Sequence, residues 1–230
     1  MTLQDELNIA YRLIRERFAF LIDYPEIFVY EPQGMKRYTH AVMAYNDQQN
    51  LIMVRHDWDK VSKSERVFAL THELGHAWTT QMNGEFLEDE VRGLLSGSPE
   101  ERERGRVLHV FDEGMATWIA YHAFMESGYA PWITEAKRSD RWMANVVQLG
   151  ITHHIDRDGS LSKEAFTRKF LTYLKQSNVL AEYPHEFGYL AVTSLAQQFD
   201  HFELVENPPK TVDELFYRKV YRERMNAESR

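Results

Sequence analysis

The chain opens with apolar side chains spaced three or four positions apart, the pattern of an amphipathic helix. Pro25 ends this pattern, and the apolar run at 27–30 predicts a short strand. Two further strands are predicted at 40–45 and 51–54, with the polar residues 46–50 forming the turn between them. The apolar positions of the opening helix are Leu3, Leu7, Ala10, Leu13, Ile14 and Phe18.

A capping signal begins the next helix. Ser62 is followed three residues later by Glu65, which is the sequence pattern of a capping box. Residues 83–98 are acidic and contain glycine, so they are predicted to form a loop or a mobile short helix. Ser98 followed by Pro99 predicts another helix, because proline fits the first turn. The apolar stripe after Ser62 consists of Val67, Leu70, Leu74, Ala77 and Trp78.

After residue 130 the hydrophobic periodicity is helical throughout. A second capping box, Thr211 with Glu214, marks the start of the last predicted helix. A few strands come early and helices follow, so the chain is predicted to belong to the α+β class. The helical segments in this part are predicted near 133–149, 162–176, 184–200 and 212–224.

The length and composition of the chain indicate one domain. Its 230 residues are 43% hydrophobic, which is enough to bury one sizeable core, and no linker or internal repeat interrupts them. Within this domain we expect an N-terminal helix and sheet at 1–60, central helices at 61–126 and a helical part at 127–230.

Charge and composition narrow the classes of partner. A net charge of -8 disfavours nucleic-acid binding, and the lack of cysteine excludes both disulfides and thiolate metal sites. No apolar stretch approaches the roughly 20 residues that cross a bilayer, and the N-terminus does not have the pattern of a secretory signal. We therefore expect a cytoplasmic protein without a membrane or nucleic-acid partner. The oligomeric state stays open.

One motif carries specific chemistry. Residues 72–76 read His-Glu-Leu-Gly-His, which is the H-E-x-x-H pattern. Four positions advance a helix by just over one turn, so His72 and His76 face the same way and can both bind one zinc ion. Glu73 lies beside them and can accept a proton from water that the metal activates. Gly75 lets another element approach the helix. The motif predicts a zinc-dependent hydrolase of the zincin type.

A catalytic zinc ion needs a third protein ligand and one open position. The extended H-E-x-x-H-x-x-G-x-x-H form is excluded, because Thr79 replaces its glycine and Met82 replaces its third histidine. With no cysteine in the chain, the third ligand has to be a histidine or a carboxylate.

Residues 112–116, Asp-Glu-Gly-Met-Ala, resemble a segment of the gluzincins, the zincins whose third zinc ligand is a glutamate. The resemblance implies that Glu113 is the third ligand. His109, one helical turn earlier, and Asp112 remain alternatives. Glu113 follows His76 at a longer interval than in the best-known gluzincins, which implies that 83–100 is an insertion.

A third segment, residues 185–188, reads His-Glu-Phe-Gly and is similar to a Tyr-Glu-x-Gly segment of gluzincin aminopeptidases. That tyrosine donates to the oxyanion that develops during the reaction, and thermolysin-like enzymes use a histidine for the same task. The resemblance therefore implies that His185 is the oxyanion donor, with Tyr183 and Tyr189 as other candidates. Pro184 is expected to place His185 at a helix N-terminus. The Gly-x-Met-Glu-Asn segment that holds a free amino terminus in these aminopeptidases is missing.

The gluzincin resemblance implies a small mixed sheet packed on the H-E-x-x-H helix, a mainly helical C-terminal part, and a peptide or protein substrate. In zincins an edge strand commonly pairs with the substrate, a role that 51–54 or 40–45 is predicted to fill. One alternative is a non-catalytic, zincin-like binding or regulatory protein. Another is a helical protein in which the H-E-x-x-H pattern is accidental.

Overall fold

The computed structural model describes residues 2–18, 22–30, 43–95, 97–125, 171–172, 174–175 and 179–228, without the side chains of 85–88, 91, 124, 125 and 179. The helix predicted near 133–149 lies outside the described residues. Most of the helix predicted near 162–176, and positions 40–42 of the second predicted strand, also lie outside them.

The described residues form a mixed α+β fold that is mostly helical, so the predicted class is confirmed at this level. Three short strands occur early in the chain. Helices account for most of the remainder. The elements in chain order are α1 (Leu3–Phe18), β1 (Glu26–Tyr30), β2 (Met43–Asn46), β3 (Leu51–Arg55), α2 (Lys63–Met82), α3 (Gly84–Leu95), α4 (Pro99–Met125), α5 (Val179–Glu182), α6 (Pro184–Leu195), α7 (His201–Glu206), α8 (Val212–Phe216) and α9 (Arg218–Glu228).

The three strands form one mixed sheet in the order β1-β3-β2. β1 runs parallel to β3, and β2 runs antiparallel to it. The turn predicted at 46–50 is confirmed: Asp47–Gln49 forms a short 3-10 helix, and Asn50 ends it with a left-handed φ of 47°. Asparagine tolerates this conformation better than most residues, which explains why the turn fits there.

One of the two edge-strand predictions is wrong. The segment 51–54 lies in β3, and β3 is hydrogen-bonded on both sides, so it has no free edge for a substrate. Its central position agrees with its burial, since Ile52, Met53 and Val54 are all buried. Of the segment 40–45, the described part lies in β2, which is an edge strand of the described sheet.

The chain divides into two compact units. The first comprises residues 1–84 and 115–136, and the second comprises residues 85–114 and 137–230. Because the division falls at residue 114, the continuous helix α4 contributes its first half to the second unit and its second half to the first.

The first unit is built on the packing of α1 against α2, beside the sheet. The capping box predicted at Ser62 and Glu65 is confirmed, and α2 begins immediately after it. Its last residue is Met82. The apolar stripe of α2 is fully buried at Val67, Leu70, Leu74, Ala77 and Trp78. β2 contacts α2, so the sheet lies next to the H-E-x-x-H helix.

A buried ion pair joins the two helices of this core. The Glu6 side chain on α1 is 0% exposed and accepts two bonds from Arg66 on α2, at 2.8 Å and 2.5 Å. Arg66 also donates to the Val61 carbonyl and lies over the Trp58 ring. This two-bond geometry is the arrangement in which an arginine–carboxylate pair is strongest.

Replacing Glu6 by alanine is expected to lower the free energy of unfolding by about 3 kcal/mol. The change leaves the Arg66 charge buried without its carboxylate, and breaking one side of a buried pair costs about that much. Urea unfolding followed by circular dichroism measures the loss. The control is Glu16→Ala, whose exposed pair with Arg12 should contribute less than about 0.5 kcal/mol. Equal stability of the two variants would show that the buried pair has no special role.

The second unit contains two very close helix crossings. At the first, α3 meets α4 where a Cβ on Gly93 would lie 2.6 Å from the Gly105 Cα. At the second, α4 meets α6, and a Cβ on Gly114 would lie 2.2 Å from the Gly188 carbonyl carbon. The segment 83–98, which was predicted to be a loop or a mobile short helix, is largely helical and forms α3. Packing against α4 stabilises a helix that its local sequence alone favours only weakly.

The end of the chain is ordered by a polar cluster within the second unit. Of the capping box predicted at Thr211 and Glu214, the N-cap bond is confirmed, since the Thr211 side chain accepts from the Glu214 amide. Arg224 donates to the Glu214 carboxylate and to the carbonyls of Asn207 and Pro208. These hydrogen bonds connect the turn before α8 to α9, the last helix. Among the described residues, no helix has both the length and the apolar character needed to cross a bilayer.

Candidate metal centre

The two histidines of the motif converge within the first unit. His72 and His76 lie one turn apart on α2, and their Nε2 atoms are 3.0 Å from each other. Two nitrogens at zinc–nitrogen distances of about 2.0–2.1 Å on a tetrahedral ion would be about 3.3 Å apart. A small adjustment of the two rings would therefore bring both nitrogens to one zinc ion. The arrangement fits the metal that the motif predicts.

The second ring nitrogen of His72 meets a residue that the sequence patterns did not single out. The Thr117 hydroxyl on α4 lies 3.4 Å from His72 Nδ1. A partner on the other ring nitrogen commonly fixes the orientation of a metal-binding histidine. The sequence did contain one indication of Thr117: it follows Glu113 by one helical turn, so both residues lie on the same face of the second predicted metal helix.

A glycine permits this meeting of α2 with the second half of α4. A Cβ added to Gly75 would lie 2.7 Å from the Ala116 Cα, closer than real side chains come to backbone. The expectation that Gly75 lets another element approach is thus confirmed, and the element is α4. Gly75 lies between the two histidines in sequence, so the crossing places α4 beside the motif.

Glu73 is held by the edge of the sheet. Its side chain is buried, and its Oε2 atom accepts a hydrogen bond of 2.8 Å from the Tyr45 amide of β2. This amide therefore points towards α2. The bond holds the carboxylate of Glu73, the residue that follows His72 in the sequence, in one position. It also means that β2 presents one of its edge amides to Glu73.

In the second unit, two of the sequence-predicted site residues come together. Glu113 on α4 and His185 on α6 are paired, with 3.0 Å between Oε2 and Nε2. Pro184 is the first residue of α6, so the expected place of His185 at a helix N-terminus is confirmed. Tyr183 occupies the N-cap position and is partly exposed. Tyr189 is buried further along the helix.

The two alternative ligands have different surroundings in the second unit. His109 Nδ1 lies 3.0 Å from Oε1 of the buried Glu90. Burial lowers the pKa of His109, but the hydrogen bond and charge of Glu90, with the charges of Glu113 and Asp112, outweigh it and raise the pKa above its ordinary value. One ring nitrogen of His109 is therefore committed to Glu90. Asp112 is buried beside Glu113 in sequence.

Comparison of the chain with models of protein families, with curated proteins and with solved structures finds no match. Any function assigned to the chain therefore depends on its own residues and their geometry.

Proposed function

We propose that the chain is a zinc-dependent hydrolase with a zincin-like, gluzincin-type site, and that it cleaves peptide bonds. His72, His76 and Glu113 would hold the zinc ion, and Glu73 would act as the general base. The observation that carries the proposal is the convergence of the two Nε2 atoms of His72 and His76, 3.0 Å apart on one helix.

The surroundings of His72 support a metal-binding role for this pair. Its Nδ1 faces the Thr117 hydroxyl, so its Nε2 is the atom directed at His76. A ring that is fixed through one nitrogen presents the other in a defined direction, as metal-binding histidines commonly do. His72 is buried, which limits competition from bulk water.

The continuity of α4 supports Glu113 as the third ligand. Residues four apart on a helix share a face, so Glu113 lies one turn from Thr117 on the same side of α4. Thr117 in turn meets the His72 ring. His109 is the less suitable ligand, because one of its ring nitrogens is engaged with Glu90. Glu113 also matches the gluzincin segment at 112–116, which supports peptides as the substrate class.

The chemistry of the site follows from its residues. A zinc ion bound by this set supplies a Lewis acid that polarises a carbonyl and acidifies water at neutral pH. The Glu73 carboxylate would take a proton from attacking water and pass it to the leaving amine. The Tyr45 amide holds Glu73 in one orientation during both transfers. Its burial keeps other proton donors away.

Zinc content tests the ligand set. Protein purified without added metal is expected to contain about one zinc ion per chain, and His72→Ala and Glu113→Ala are each expected to lose it, since a catalytic site has only three protein ligands. The measurement is elemental analysis beside protein concentration. His56→Ala, which removes an exposed histidine at the end of β3, is the control and should keep the metal.

Three results would contradict this scheme in part or in full. Zinc that survives Glu113→Ala but is lost in Asp112→Ala or His109→Ala would move the third ligand. No zinc in the parent protein, even after dialysis against the metal, would exclude the whole proposal. Stoichiometric zinc without cleavage of any peptide in a library would instead favour the non-catalytic binding protein.

A further inference from the structure

We propose that the Tyr45 side chain is a positioning residue for Glu73. Its hydroxyl connects β2 to the last turn of α2 through Asn50 and Gln81, and this connection keeps the Tyr45 amide at hydrogen-bond distance from the Glu73 carboxylate. The inference deepens the proposed function and rests on it, because it requires Glu73 to be the general base.

Tyr45 is held in two directions within the first unit. Its amide donates to Glu73 Oε2 at 2.8 Å, and its hydroxyl donates to Asn50 Oδ1 at 3.0 Å. In a strand the amide lies in the plane of the sheet, whereas the side chain stands roughly perpendicular to it. The two hydrogen bonds therefore restrict β2 along different directions. Burial raises the pKa of the half-buried Tyr45, so its hydroxyl keeps the proton that it donates to Asn50.

The acceptor, Asn50, is itself fixed by the end of α2. Gln81 Nε2 donates to Asn50 Oδ1 at 3.3 Å and to the Asp23 carbonyl at 3.0 Å, while the Asp23 amide donates to Gln81 Oε1 at 2.6 Å. Asn50 Nδ2 donates to the same Asp23 carbonyl at 3.3 Å. Both polar atoms of the Asn50 side chain are thus engaged, and its position does not depend on Tyr45 alone.

These contacts form a closed path on one helix. Glu73 and Gln81 are separated by more than two turns of α2. β2 is connected to the helix at both places, directly at Glu73 and through Asn50 at Gln81. A strand that is connected to a helix at one point can turn about that point, whereas a second connection prevents the rotation. Because α2 is continuous, the distance between the two points is fixed.

The second connection matters because of where β2 lies in the sheet. In the described sheet β2 pairs with β3 only, and its Tyr45 amide faces Glu73. A general base acts only within hydrogen-bond reach of the attacking water, and a misplacement of about 1 Å can cost about 10²-fold in rate. Without the hydroxyl, β2 can move its amide away from Glu73. The Tyr45 side chain thus acts on catalysis through that carboxylate.

The kinetic test is Tyr45→Phe, which keeps the ring and the amide and removes only the hydroxyl. The kcat of peptide cleavage is expected to fall by about 10-fold, less than the full cost of a misplaced base, while KM and zinc content stay at the parent's values. Tyr217→Phe, which removes the hydroxyl of an exposed tyrosine in the second unit, is the matched control and should cleave as the parent does.

A second variant breaks the same path at the acceptor. Asn50→Gly removes the side-chain oxygen, and glycine adopts the left-handed φ of 47° at this position without strain. Its kcat is expected to fall at least as far as that of Tyr45→Phe. Since both changes interrupt one connection, the double variant should be no slower than Asn50→Gly alone.

Hydrogen exchange at the amide of residue 45 measures the connection without relying on activity. Tyr45→Phe is expected to speed exchange at this amide by about 5- to 10-fold, roughly the contribution of one hydrogen bond. The amides within α2 should exchange at the parent's rate, which excludes a general loss of structure. Glu73→Ala, which removes the acceptor of this amide, should speed its exchange at least as much.

The other outcomes overturn the inference. An unchanged kcat in Tyr45→Phe would show that the hydroxyl does not position the base, and a lower kcat without faster exchange at residue 45 would show that it acts by another route. A higher KM at the parent's kcat would make Tyr45 a substrate contact, and lost zinc would make it a support of the metal ligands. A parent protein that binds no zinc, or cleaves no peptide, would instead exclude the proposed function, and this inference with it.

Discussion

Glu73→Gln is expected to keep its zinc and to lose peptide hydrolysis by about 10²- to 10⁴-fold, the usual contribution of a general base. Glutamine has nearly the shape of glutamate, and its amide oxygen can still accept from the Tyr45 N–H. The fold and the two histidines should therefore be unaffected. What is lost is the ability to accept a proton.

The measurement is the turnover of a peptide selected from a cleavage library, together with zinc content and the unfolding midpoint. Glu16→Gln serves as the matched control, since Glu16 lies exposed on α1 and pairs only loosely with Arg12. It should have the parent's activity. Hydrolysis that continues unchanged in Glu73→Gln would remove Glu73 from the mechanism. Loss of zinc in that variant would show that the carboxylate has a structural role near the metal.

Gly188→Ala is expected to lower the free energy of unfolding by about 3 kcal/mol or more, because the new Cβ would collide with backbone. It would lie 2.0 Å from the Val110 carbonyl oxygen and 2.6 Å from the Gly114 amide nitrogen. Overpacking a tight contact costs about 1–3 kcal/mol, and more where backbone cannot move. In a helix without such a contact, the same change is stabilising by up to about 1 kcal/mol.

The sign of the change in the free energy of unfolding therefore shows whether the close contact of α4 with α6 or the helix propensity of alanine dominates. The control is Gly84→Ala at the start of α3, where an added Cβ would meet nothing within 4 Å. That variant should be as stable as the parent or slightly more stable. Chemical denaturation of the three proteins measures the difference. A Gly188→Ala variant as stable as Gly84→Ala would show that α4 and α6 can separate at little cost.

Local sequence was sufficient for the features whose causes are local. The capping box at Ser62 and the N-cap bond at Thr211 were confirmed, because a side chain and an amide three residues away meet whenever a helix begins there. The mutual approach of His72 and His76 follows in the same way from helical spacing. Proline at the first turn of α6 placed His185 at a helix N-terminus.

Tertiary structure decided the features that depend on residues far apart in the chain. The segment 51–54 reads as a strand, but only pairing shows that β3 is central and has no free edge. The Tyr45 amide contacts Glu73, and the Thr117 hydroxyl contacts His72. Each pair is so far apart in the chain that no helical or strand periodicity relates its members. The partners of these groups are set by how α2 packs, and not by neighbouring residues.

The glycines show the division most clearly. The sequence by itself determined that α2, α4 and α6 are helices and that Gly75, Gly114 and Gly188 lie within them. Only the tertiary structure decided that Gly114 and Gly188 meet each other, which brings Glu113 to His185. A glycine permits close approach of another backbone, but its presence in the sequence does not indicate which segment packs against it. Packing specified the partner, because two helix backbones approach this closely only where a side chain between them is missing.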